Sequence, residues 1–321
     1  MTEILIQFAV QGTRIVVPII IVLSVVSNSL NIVILSRPNL IHHACSLYFL
    51  CLAVVNLFYS SVIMTINLLA DGYLLDLSVS SAFFCKFLTY LLNLCPYLSL
   101  YLIVLASFDR YCASSVHVKI RHFNSIRIAR WAIGLLVVTL MAFMSWAFAV
   151  FDLQQLEILR CNIQSDLLSS QIFLFILIIF YVIIAPFLMI LFGFLTIRNI
   201  QKTRLNPDRV SNYRRTEGQL SRMLLLQVGT HIALTLPFCV MFFMFILPIS
   251  VPTTIEFYYI YIICKLPFYL TFTTAFFLYI ISAQAYRNEF LRLVRKLVRH
   301  HRIDTIHINT NVNPVTQPVQ K

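Results

Sequence analysis

Residues 83–111 read FFCKFLTYLLNLCPYLSLYLIVLASFDRY. Between Lys86 and Asp109 no side chain carries a charge. That uninterrupted stretch exceeds the roughly 20 residues a helix needs to cross the hydrocarbon core of a bilayer. Lipid offers no partner for backbone N–H and C=O groups, so a run of this kind must satisfy them internally and is read as a helix. Its two ends differ. One carries Cys85 and Lys86, and the other closes on Asp109-Arg110-Tyr111.

Six further runs of the same character flank this one. Together the seven cover about 14–36, 46–70, 83–111, 128–151, 169–197, 221–247 and 256–281, joined by short polar links. Over the 321 residues, 60% are hydrophobic and 11% charged, against about 25% charged in an ordinary soluble domain. The chain therefore reads as an all-α membrane protein, a bundle of seven transmembrane helices. The first run has neither a basic leader nor a small-residue cleavage site, and is read as a retained helix.

Charge placement sets the expected orientation. Of the 24 Lys and Arg residues, all but Arg14, Lys86, Arg160 and Lys265 fall in the links and tail on one side. The other side carries Glu3, Asp71, Asp76, Asp152, Glu157, Asp166 and Glu256. The positive-inside rule puts residues 1–13 outside the cell and the C-terminal segment in the cytoplasm. The seven-helix domain then occupies 14–283 and a disordered tail 299–321. The net charge of +12 follows from this topology and does not call for a nucleic-acid partner. Residues 284–298 alternate apolar and basic side chains at helical spacing, as expected of an amphipathic eighth helix lying along anionic headgroups.

Several features recur in a telling order: Asn28 in the first run, the Leu52-Ala53 step in the second, Cys85 and Asp109-Arg110-Tyr111 in the third, Pro186 in the fifth, Pro237 in the sixth and Tyr279 in the seventh. Over roughly residues 14–298 the chain resembles a divergent rhodopsin-like (class A) G-protein-coupled receptor. The resemblance implies a plasma-membrane receptor that takes an extracellular ligand and activates heterotrimeric G proteins by outward movement of the sixth helix. It implies a Cys85–Cys161 disulfide, consistent with an oxidising exterior. It also implies a switch built from Asp109, Arg110, Tyr111 and Tyr279, in which Arg110 pairs with Glu217 at the base of the sixth helix in the resting state. Such a pair is a two-state element that a ligand can bias.

The chain departs from that pattern at several points. The second helix has Asn56 where the family usually has Asp, which removes the carboxylate expected to hold a sodium ion, a hard cation that seeks charged oxygens. Ala275 and Phe276 replace the usual Asn-Pro, Leu234-Thr235-Leu236-Pro237 replaces Cys-Trp-x-Pro, and Phe194 stands where a Tyr is common. Leu92 occupies the amine receptors' Asp position and Tyr269 the opsins' Schiff-base Lys position. No amine salt bridge and no retinal or other cofactor is therefore expected.

Candidate ligand-binding residues by position are Leu92, Asn93, Tyr97, Thr235, Phe238, Phe242, Lys265 and Tyr269. Lys265 meets an acidic ligand group, pairs with nearby Glu256, or extends to the interface. The acidic outer loops weakly favour a peptide ligand. The alternative function class is a transporter or channel. The sequence has no H-E-x-x-H or G-x-S-x-G motif and no metal-ligand cluster, so neither catalysis nor a metal is expected.

Overall fold

The computed structural model describes residues 2–115, 117–155, 159–163, 168–204, 212–246, 255–284 and 286–295. Seven helices long and apolar enough to cross a membrane are present among these residues. They are α1 (Thr2–Leu35), α2 (Ala44–Tyr73), α3 (Ala82–Ser114), α4 (Ile126–Val150), α5 (Leu168–Lys202), α6 (Asn212–Ile246) and α7 (Ile255–Ser282). An eighth helix, α8, covers 286–295. A two-stranded antiparallel hairpin, β1 (Phe151–Gln155) and β2 (Leu159–Ile163), joins α4 to α5.

Helix α3 is the axis of the bundle. Every residue from Leu94 to Leu100 is buried, and a helix buried all round belongs at a centre. It touches α2, α4 and α5 along its length, while α7 packs on α1 and on α6. The other helices divide more sharply. On α4, Trp131, Leu135 and Val138 stand exposed, as do Phe187, Ile190 and Phe194 on α5. In a bilayer such apolar faces meet acyl chains and need no protein partner. Phe194 thus points out of the bundle and leaves the position of the family's inward Tyr without a hydroxyl.

Local sequence explains two irregularities. In α2 the turn Tyr59–Ile63 is π-helical. The Ser60 hydroxyl donates to the Asn56 carbonyl at 2.7 Å and the Ser61 hydroxyl to that of Leu57 at 2.8 Å. Back-bonding by Ser competes for helical carbonyls and bends helices. In α5 the turn Ile179–Ile184 is π-helical and stops just before Pro186, whose ring cannot accept the carbonyl of a regular preceding turn.

Helix α1 begins at Thr2, well before the apolar run near residue 14, because the turns around Glu3, Gln7 and Gln11 continue the same helix. Helix α2 ends at Leu74 in the left-handed conformation, φ 59°. The Leu74 and Leu75 amides both fold back onto the Leu69 carbonyl. The tail 299–321 lies outside the described residues.

Candidate functional site

Three layers of polar and aromatic groups lie along the bundle. At one end, Arg110 is wholly buried on the last turns of α3. Its Nη2 donates to Asp109 Oδ2 at 2.7 Å and its Nε donates to the same oxygen at 3.2 Å. Burial of a guanidinium is expensive unless it is paired and hydrogen-bonded, and Asp109, itself 4% exposed, supplies that pairing. Tyr111 is half-buried and stacks on Phe192 of α5 at 6.1 Å. The side chain of Glu217, on the first turns of α6, lies outside the described residues.

Tyr279 of α7 comes to the same end, buried between Phe49 of α2 (5.0 Å) and Tyr286 (5.6 Å). Its hydroxyl is buried beside the Gln227 side chain of α6, while His231 Nε2, also on α6, is buried without a hydrogen-bond partner. The Tyr286 hydroxyl donates to Asn31 Oδ1 on α1 at 2.6 Å, which fastens the start of α8 to the first helix. Burial pushes the Tyr286 phenol pKa upward, so it remains a proton donor.

The middle layer replaces a charged centre with neutral amides and hydroxyls. Asn28 Nδ2 donates to the Phe272 carbonyl at 2.8 Å, and the Ser24 hydroxyl donates to the same carbonyl at 3.0 Å. The Ser24 and Ser60 hydroxyl oxygens meet at 2.5 Å, so one of the two exchanges its carbonyl for the other hydroxyl as acceptor. Asn56 Oδ1 accepts from the Ser99 hydroxyl at 2.9 Å. These contacts tie α1 to α7, α1 to α2, and α2 to α3. Tyr59 stacks on Phe272 at 4.2 Å.

The opposite end carries the Cys85–Cys161 disulfide, Cα–Cα 5.4 Å, which joins β2 to the first turn of α3. Lys86 approaches Asp152 of β1 at 3.8 Å, a second link between hairpin and α3. Deeper at this end, Lys265 Nζ donates to Asp71 Oδ2 at 2.8 Å, and the Tyr258 hydroxyl donates to Asp71 Oδ1 at 3.3 Å. The Lys265 ammonium also lies 5.1 Å from the Tyr261 ring centroid, within cation–π range. The acid against Lys265 is thus Asp71 of α2. Glu256 lies more than two turns away along α7, whereas the packing of α2 near α7 brings Asp71 alongside.

The other candidate ligand residues divide. Phe238 lies in an aromatic cluster with Phe268 (4.6 Å), Tyr261 (5.6 Å) and Phe242 (5.9 Å), next to the Lys265 region. Tyr269 is buried one turn below Lys265, with its hydroxyl beside Asn67 of α2. Leu92 is 40% exposed. Three others are engaged internally. The Tyr97 hydroxyl donates to the Leu177 carbonyl at 2.5 Å, Asn93 Nδ2 to the Thr89 carbonyl at 2.8 Å, and the Thr235 hydroxyl to the His231 carbonyl at 2.8 Å.

Sequence reading missed Ser24, Asn31, Ser60, Asp71 and Tyr286. A signal existed for the first two. Ser24, Ser27, Asn28 and Asn31 recur at i, i+3, i+4 and i+7 on one helix face, a polar stripe inside a membrane-spanning segment and hence an interior one.

Among the described residues no group of His, Cys, Asp and Glu is arranged to hold a metal ion. The chain matches the family model described as 7 transmembrane receptor (rhodopsin family) over residues 27–271. The match starts just before Asn28 and stops short of Ala275-Phe276. No curated protein matches the chain significantly.

Proposed function

Because this chain belongs to the rhodopsin family of seven-transmembrane receptors, we propose that it binds an extracellular ligand at the disulfide end and activates heterotrimeric G proteins at the Arg110 end. The observation that carries this reading is the buried Asp109–Arg110 pair at the end of the central helix. A guanidinium held there by a neighbouring carboxylate has an interaction to exchange when α6 moves. The disulfide supports an exterior location for its own end, where thiols oxidise. The basic links supply the cytoplasmic assignment of the other.

Activation in this reading is an outward swing of α6. The resting state is held by Arg110, with Glu217 as its partner on α6, and by the approach of Gln227 on α6 to Tyr279 on α7. Buried polar atoms without partners are costly. A rearrangement that lets buried His231 Nε2 bond to water entering an opened cavity offsets part of the work of opening. Exposed Arg287, Arg292 and Arg295 on α8, with Phe290 and Leu293 turned to the core, suit a helix lying on an anionic inner leaflet. A peptide remains the favoured ligand on the acidity of the outer loops.

Glu217→Ala expressed in cells carrying a G-protein reporter tests the switch. The expected result is raised ligand-free signalling at matched surface expression. Unchanged basal signalling contradicts the Arg110–Glu217 restraint. A voltage-clamp recording on the same cells addresses the transporter or channel alternative, for which a chain-dependent current is the required result.

A further inference from the structure

We propose that the Asp71–Lys265 pair is an exchangeable gate for an anionic ligand group, with Arg14 as the cation that receives Asp71 when the gate opens. This deepens the receptor reading above and rests on it for the location of the ligand site.

Lys265 and Asp71 are only 16% and 11% exposed in their side chains and lie 2.8 Å apart. One residue beyond Asp71, the Gly72 carbonyl accepts a 2.6 Å hydrogen bond from Arg14 Nε of α1. The Arg14 guanidinium also lies 5.1 Å from the Tyr73 ring centroid. Helices α1 and α2 are close there: a Cβ on Gly72 would meet Arg14 Cγ at 3.4 Å and Thr13 Cγ2 at 3.7 Å. Arg14 therefore spends its charge on a neutral carbonyl and a ring, and has no carboxylate partner among the described residues. Two cations surround one carboxylate, an excess of one positive charge in a partly desolvated place.

The excess is local to this cluster, because the end as a whole is acidic and carries Glu3, Asp76 and Glu256 besides Asp71 and Asp152. Lys86 and Asp152 form their own pair. Glu256 is exposed on the first turn of α7, nine residues and about 13 Å along the helix from Lys265.

The excess selects the sign of the ligand. A cationic group that pairs with Asp71 by displacing Lys265 leaves two half-buried cations, Lys265 and Arg14, without a carboxylate. An anionic group that displaces Asp71 leaves none unpaired. Lys265 then holds the ligand, and Asp71 turns toward Arg14 beside Gly72. Charge interactions are stronger in such a partly buried site than in water. The surroundings also fit. Tyr269 lies four residues from Lys265 on the same helix face, with its buried hydroxyl beside Asn67 of α2, a donor that can turn to a carboxylate oxygen. Tyr261, Phe238 and Phe268 supply an aromatic wall. The ligand class is a carboxylate carried on an apolar or aromatic body, whether a peptide C-terminus or a free organic acid.

The test uses the full chain in lipid nanodiscs and three matched compounds: N-acetylphenylalanine, its primary amide and phenethylamine. Binding is read as a shift in thermal unfolding against concentration. The acid should stabilise the wild type while the amide and the amine do not. Lys265→Gln should weaken the acid at least about tenfold, and Asp71→Asn should tighten it about tenfold by removing the competing carboxylate. The uncharged double variant Asp71→Asn/Lys265→Gln keeps the test valid if a single variant does not fold, and it should not respond to the acid. Stabilisation by the amine alone, no stabilisation by the acid, or an acid response that survives in Lys265→Gln or in the double variant overturns the proposal. A longer peptide ending in free or amidated phenylalanine separates the two sources of the carboxylate by relative affinity. Basal nucleotide exchange on a G protein, measured on the same nanodiscs, keeps the two levels apart. Acid binding without exchange upholds the site and removes the receptor reading. Exchange without acid binding does the reverse.

Discussion

Replacing Tyr286 by Phe removes one hydroxyl and nothing else from the joint between α7 and α8. The ring still packs on Tyr279 at 5.6 Å and on Phe276 at 6.2 Å. What disappears is the 2.6 Å hydrogen bond to Asn31 Oδ1, between side chains only 2% and 1% exposed. An acceptor stripped of its donor in a buried place costs about 1–3 kcal/mol. Asn31→Leu removes the acceptor and strands the phenol instead, with a penalty of the same order. The double variant strands neither, so the two losses should not add, and the shortfall is the coupling energy. The joint is closed by the Ala283 amide on the Tyr279 carbonyl and the Arg287 amide on the Ala283 carbonyl, both at 3.0 Å. Hydrogen exchange of these amides reports local opening. Each single variant should speed exchange about 5- to 150-fold, the equivalent of about 1–3 kcal/mol, with the double variant near wild type. Exchange unchanged in Tyr286→Phe, or losses that add fully in the double variant, would refute the claim that this bond fastens α8 to α1.

Two further outcomes are expected. Leu74→Gly should stabilise the protein by about 0.5–1 kcal/mol. A left-handed non-glycine residue costs about 1–2 kcal/mol, and the entropy that glycine loses on folding returns part of the gain; a lower unfolding temperature would contradict the strain at φ 59°. Exchanging sodium for choline at constant ionic strength should leave the unfolding temperature unchanged, since Asn56 offers a neutral amide already bonded to Ser99. A sodium-specific rise would contradict this.

Much of the architecture was legible because lipid imposes a simple code: about 20 apolar residues per crossing, with basic residues gathered at one side. The pairing of Cys85 with Cys161 and the placing of Arg110 at the end of the central helix were legible through the family resemblance. Interior contacts were harder. Asp71 and Lys265 are 194 positions apart, and no local pattern couples them; Glu256 was the nearest acid in sequence but stands on the wrong turns of the helix. The π-helical turn in α2 was hidden because Ser60 and Ser61 look unremarkable in an apolar run until their hydroxyls are seen on the carbonyls of the preceding turn. The hairpin at 151–163 is too short and too polar at its centre to stand out. The departures at Asn56, Ala275 and Phe276 were visible. Their consequence was not: Asn28 and Ser24 bond the Phe272 carbonyl although residue 276, one turn on, is not a proline.

On the proposed function, this bundle passes a signal to a G protein through Arg110. The direct measurement is nucleotide exchange on a panel of purified heterotrimeric G proteins, with the full chain and its Arg110→Ala variant compared in nanodiscs at equal folded concentration. The expected result is faster exchange with the wild-type chain on at least one G protein and no acceleration with Arg110→Ala. A wild-type chain that accelerates none of them, or an Arg110→Ala chain that accelerates exchange as well as the wild type, would contradict the account.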